Sequence, residues 1–194
     1  MKLDYIKVID ENGGVMHGGN QSHFTKNINR SGCGMIAACD MLLYLQNSKN
    51  LPLSEYNRFV AEKSKSYFYK MHFNLVGISA SRIIKFLSKQ GHRFCFIPWY
   101  KLKGDLLEKK IKKSIENNIP VIVRIGLNRN RLPYKLSNTA SGRITQGKMS
   151  WHYITVIGIE NSTLHFSSWG RAGEMELSDL QQHIGFMGGI ICTE

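Results

Sequence analysis

The stretch from Cys33 to Leu45 constrains this chain more than any other. Wound as a helix, it carries Met35, Ile36, Ala37, Ala38, Met41, Leu42, Leu43 and Leu45, so it is apolar on most sides. Such a helix must be enclosed, and the rest of the chain has to wrap it. The chain has 194 residues, enough for one domain of two lobes with a real core.

The segments around it read as follows. Tyr5–Ile9 has strand character. Residues 13–32, with Gly13, Gly14, Gly18, Gly19, Asn20, Asn27, Asn29 and Gly32, read as loop. Ser54 opens a helix to about Tyr67, and Ser79 caps another with Ile83, Ile84 and Leu87 on one face. Beyond residue 93 strands take over: Phe94–Ile97, Pro120–Leu127, Trp151–Ile159, Thr163–Trp169, Glu174–Leu177 and Gly188–Cys192. A helix over Gly104–Asn117 and a short one capped by Ser178 interrupt them. Glu160-Asn161-Ser162 is the expected hairpin turn. The polar 128–150 segment, with Arg129, Arg131, Lys135, Arg143 and Lys148 and no acid, reads as a mobile loop beside the site or a disordered surface loop. The fold class expected is α+β. A helix-rich lobe spans about 13–92 and a strand-rich lobe about 93–194, within a single domain 1–194.

Composition narrows the function classes. Hydrophobic residues make up 42% and charged residues 21%, as in an ordinary globular protein. There is no long apolar run for a membrane span and no apolar core of a secretory signal after Met1. The expected location is the cytoplasm, with signal-independent export left open. The net charge of +12 favours anionic partners: nucleic acid, an acidic peptide or an anionic surface, with a soluble basic protein lacking any such partner as the plain alternative. No nucleic-acid module is recognisable, so no nucleic-acid partner is expected despite that charge.

Cys33, Cys39, Cys95 and Cys192 form neither a Cys-x-x-Cys pair nor a zinc pattern, so no metal or other cofactor is expected. Cys95 and Cys192 sit in apolar runs and read as buried inert thiols. Cys33 differs. It stands between Gly32 and Gly34 at the start of the apolar helix. A helix N-terminus carries roughly +0.5 of a charge, which favours a thiolate, and its free N–H groups can face an oxyanion. Cys33 is therefore either a nucleophile or a small residue packed at a helix start. His152, at the head of an apolar strand, is either a positioned base or a core filler. Together they suggest a Cys–His pair, distant in sequence and adjacent in space.

The segments Gly18-Gly19-Asn20-Gln21, Gly32-Cys33-Gly34-Met35, His152-Tyr153-Ile154-Thr155-Val156 and Ser167-Ser168-Trp169-Gly170 follow one another in an order that resembles the papain-like cysteine peptidases. The resemblance is nearest to the bacterial double-glycine (bacteriocin-processing) peptidase-like branch and touches about a third of the chain. It implies a central buried helix packed on an antiparallel sheet. It also implies that Cys33 attacks a carbonyl carbon, that His152 carries the proton to the leaving amine, and that Gln21 donates to the oxyanion. The insert between Gln21 and Cys33 is longer than the papain pattern has, and must loop out.

The third position departs further, with Ser167 where that pattern has Asn. A two-residue turn at Asn161-Ser162 would place His152, Ser167 and Trp169 on one face, letting Ser167 accept from the imidazole. A water, Asn161 or Glu160 are the alternatives, as is impaired catalysis. His17 and His23 match no metal spacing, and Asp40, two turns along from Cys33, reads as a structural hydrogen-bonder or an exposed residue. His72, His92, His165 and His183 read as surface or packing residues. Three functions stay open: a thiol hydrolase of peptide or isopeptide bonds through a Cys33 acyl-enzyme, an acyl transferase on the same site, and a catalytically impaired basic binding module. The expected partner is a peptide or protein substrate, acidic or Gly-rich.

Overall fold

The structure is a computed structural model and describes residues 1–65, 77–137 and 142–193. The expected helix end at Tyr67 and His72 lie outside the described residues. The fold is mixed α+β, built on two sheets. In the small one, β1 (Lys7–Ile9) runs between β2 (Val15–His17) and β3 (Asn50–Pro52). The large one holds β4 (Phe94–Pro98), β5 (Val121–Ile125), β6 (Leu132–Ser137), β7 (Ile144–Met149), β8 (His152–Glu160), β9 (Thr163–Ser168), β10 (Arg171–Glu176) and β11 (Gly189–Thr193). Their order is β4-β11-β5-β8-β9-β10-β6-β7, with every pairing antiparallel.

The helices are α1 (Lys26–Ser31), α2 (Cys33–Leu45), α3 (Leu53–Lys63), α4 (Ala80–Ser88), α5 (Leu106–Glu116) and α6 (Leu177–His183). Helix α2 is enclosed as its composition demands: every residue from Gly34 to Leu43 is buried. It packs on β8 and β5 of the large sheet and against α3 and α4. Gly34 makes the closest approach possible, because a Cβ there would lie 2.9 Å from the Tyr153 ring. Strand β8 is buried from His152 to Ile159, so both of its alternating side-chain sets are covered, and α2 and α5 both pack on it. Among the described residues no helix is long and apolar enough to cross a membrane.

Several expectations need correction. The 128–150 segment is no loop: β6 and β7 pair in register from Leu132↔Met149 to Ser137↔Ile144, and β6 joins the sheet through β10. Its strand pattern was hidden by Pro133 and by a mostly polar composition suited to the sheet edge, where β7 lies. Residues 13–32 contain β2 and α1 as well as turns. Ser79 occupies the N-cap of α4, but its hydroxyl pairs with Ser81 Oγ at 3.0 Å rather than with the helix backbone. The N-cap of α6 is Glu176, not Ser178.

Candidate active site

Cys33 is the first residue of α2 and His152 the first of β8, and the packing of helix on strand brings both into one cleft. Gln21 lines the same cleft. The segment between Gln21 and Cys33 loops out as a 3-10 turn (Gln21–His23) followed by α1. Gln21 Nε2 donates to Asn29 O at 2.7 Å, which ties the amide to the end of that excursion. An amide nitrogen carries two hydrogens, so one donor remains for another acceptor.

Burial is the largest influence on the Cys33 thiol and pushes its pKa up. The backbone N–H groups of Tyr153, Gly34 and Cys33 face the sulfur and pull the other way, as does the charge of Arg124. Burial also drives His152 down, to about 3. Both shifts favour the uncharged forms, a thiol at Cys33 and a neutral imidazole at His152. Among the described contacts no hydrogen bond joins the two side chains.

The partner of His152 is Ser168. His152 Nε2 lies 2.7 Å from Ser168 Oγ, and the ring stacks on Trp169 with centroids 4.0 Å apart. Ser167, the residue expected there, instead donates to His17 O at 2.8 Å. The cause is a single bulge. The turn has two residues, Asn161 and Ser162, both with positive φ, and pairing starts as expected with Glu160↔Thr163 and continues to Gly158↔His165. The next pair is Val156↔Phe166, so Ile157 is an extra residue and every later side chain of β9 changes face relative to β8. At the bulge the chain start runs alongside β8: Leu3 N–H donates to Ile157 O at 2.7 Å and Ile159 N–H to Met1 O at 3.0 Å. Asn161 remains a turn residue, and Glu160 pairs with the N-terminal ammonium at 3.4 Å.

Asp40 is buried two turns along α2, as a structural hydrogen-bonder. Its Oδ2 accepts from Gly19 N at 3.0 Å and its Oδ1 from Tyr56 Oη at 2.6 Å. Burial outweighs these two bonds and raises its carboxyl to about 7. The Gly18–Gly19 backbone lies close: Gly18 has φ +73°, and a Cβ there would sit 2.6 Å from Asp40 Oδ2. Asp40 thereby anchors the strand-to-turn passage that carries Gln21. His17 is half-buried and held down by burial, and His23 is exposed. No group of His, Cys, Asp or Glu that could hold a metal occurs among the described residues.

Cys39 and Cys192 are buried, with thiols pushed up by burial, while Cys95 is half-buried opposite Cys192 across the β4–β11 pair. Sequence reasoning passed over Ser168 and Arg124. The one sign of the bulge was Gly158 inside an apolar strand, a residue that often marks such a kink.

No known sequence family matches the chain, and no curated protein does. Among solved structures it is similar to a proposed C39-like peptidase from Bacillus anthracis, with 14% identity and a TM-score of 0.36, over 61% of this chain and 60% of that one. So shallow a likeness carries no functional weight.

Proposed function

We propose that the chain is a cysteine hydrolase of peptide or isopeptide bonds, with Cys33 as nucleophile and His152 as its base. The observation that carries this reading is the meeting of a helix-start thiol, a strand-start imidazole and the Gln21 amide in one cleft. With Nε2 bonded to Ser168, the other ring nitrogen, Nδ1, is the one left to serve the thiol. If Nε2 carries the hydrogen and Ser168 accepts it, Nδ1 holds a lone pair and takes the thiol proton as sulfur attacks. The C–S bond forms and the carbonyl oxygen becomes an oxyanion, met by the Cys33 N–H and by Gln21 Nε2. Collapse breaks the C–N bond, and the amine leaves with the proton from His152. Water then attacks the thioester with His152 again as base, releasing the acid and restoring the thiol. Burial, which favours the uncharged forms of both groups, supports a proton transfer that accompanies attack.

One observation favours a second reading. Deep burial disfavours an imidazolium and a hydroxyl partner supports one only weakly, which suits a papain-like fold kept as a basic binding module. A mixed peptide pool followed by mass spectrometry separates the two. Hydrolysis produces new termini, and Cys33→Ala or His152→Ala lowers their rate on the order of 10⁴–10⁶-fold. New termini that persist in Cys33→Ala overturn the proposal, and no termini from the unaltered protein favour the binding module. An added amine that appears in the products marks a transferase instead.

A further inference from the structure

The cleft in front of Cys33 has a volume of about 420 Å³. Its lining includes Arg30 and Arg124 and, among the described residues, no carboxylate. Neither arginine has an ion-pair partner among the described residues. Ion pairs form elsewhere on the chain, Asp4 with Lys7 and Lys49, Asp105 with Lys109 and Glu108 with Lys112. Arg124 is also built in rather than loose. It is half-buried on β5, and its guanidinium carbon lies 5.8 Å from the Trp151 ring centroid and 5.9 Å from that of Tyr153. At these distances the two rings attract the guanidinium by cation–π contact and hold it in the cleft wall. Trp151 has φ +51°, a strained backbone for an aromatic residue, and is the residue immediately before His152.

We infer that Arg124, with Arg30 in the same cleft lining, selects an acyl substrate that carries a carboxylate close to the scissile carbonyl. This rests on Cys33 being the nucleophile. Arginine's planar fork matches a carboxylate with two parallel hydrogen bonds, which a neutral amide cannot reproduce. The anion would lie against a guanidinium already partly out of water, where screening is weaker than on the open surface. A carboxylate can come from an Asp or Glu side chain or from a peptide C-terminus, and the site chemistry is the same for both. The charge of Arg124 also helps the Cys33 thiolate. That effect accelerates every electrophile alike, so a ratio between acidic and neutral probes removes it.

The test uses three thiol-reactive probes on the full chain: bromoacetyl-Glu amide, bromoacetyl-Gln amide and bromoacetyl-Gln with a free C-terminus. In each, the Cys33 thiolate forms a C–S bond and bromide leaves. Rates at Cys33 are read by peptide mapping and divided by those of glutathione. The expected result is that at least one acidic probe labels Cys33 about tenfold faster than the neutral one. Which acidic probe wins names the source of the carboxylate. The preference shrinks with added salt and collapses toward the glutathione ratio in Arg124→Gln, with a smaller loss in Arg30→Gln, an exposed position that tolerates the change. Equal rates for all three probes at Cys33 overturn the carboxylate selection while leaving the nucleophile reading intact. So does an Arg124→Gln variant that slows acidic and neutral probes alike. If Cys95 is labelled ahead of Cys33 by every probe, the nucleophile reading falls and this inference falls with it.

Discussion

At the residue scale the decisive exchange is Ser168 for Ser167. Adjacent serines on a strand face opposite ways, so a one-residue bulge chooses which of them meets the imidazole. A hydroxyl orients the ring but cannot offset the desolvation of an imidazolium, and His152 stays neutral far below its ordinary range. Cys33, raised by burial, then ionises only at alkaline pH. The rate of Cys33 alkylation should therefore climb through the alkaline range, with no plateau below pH 7. Ser168→Asp places a carboxylate against Nε2 and favours the imidazolium, which in turn favours the thiolate. Alkylation at pH 6 should rise about tenfold in that variant. Ser167→Ala should leave the profile where it was, because the Ser167 hydroxyl faces the His17 carbonyl. A profile moved by Ser167→Ala and not by Ser168→Asp would restore the pairing that puts Ser167 on the face of His152 and contradict the bulge.

At the element scale, Asp40 couples α2 to α3 through Tyr56 and to the Gln21 turn through Gly19. Its neighbours Tyr5, Tyr56 and Cys39 all have pKa values raised further above neutrality, so Asp40 is the member of this cluster that titrates near pH 7. Its carboxyl has a folded pKa of about 7 against an ordinary 3.8. Between those values the folded chain holds a proton that the unfolded chain has lost. Its contribution to stability is thus full at low pH, falls as pH rises through that window, and levels off above it. The slope from this one group approaches about 1.4 kcal/mol per pH unit. Buried His152, held neutral to about 3, adds a slope of opposite sign up to its ordinary 6.5, so denaturant titrations at pH 4.5, 6 and 7.5 should show the Asp40 fall as the difference between the unaltered protein and Asp40→Asn. The variant starts lower, since an amide offers one acceptor to two donors, so slopes rather than absolute values decide. Equal slopes would place the Asp40 pKa near its ordinary value.

Elements defined by local patterning were legible in the sequence. Helix α2 begins and ends at the expected residues, because its apolar run and Gly32-Cys33-Gly34 start are signals carried within the helix itself. The β8–β9 turn was legible for the same reason. Strands β6 and β7 were not, since an edge hairpin with Pro133, Lys135 and Lys148 is recognised only once β10 supplies a partner. The bulge likewise depends on the chain start lying beside β8, a contact between residues far apart in sequence.

For the whole molecule, the sequence order Gln21, Cys33, His152 converges on one cleft because α2 is trapped between the large sheet and the helices α3 and α4. The +12 charge reaches that cleft through Arg30 and Arg124. What joins these observations is the claim that Cys33 and His152 act as a unit. Iodoacetamide labelling at pH 7.5, with all four cysteines mapped in the unaltered protein and in His152→Ala, tests it most directly. Cys33 is expected to label first, and to slow about tenfold or more once the imidazole is gone. Labelling of Cys95 ahead of Cys33, or a Cys33 rate indifferent to His152→Ala, would contradict the claim.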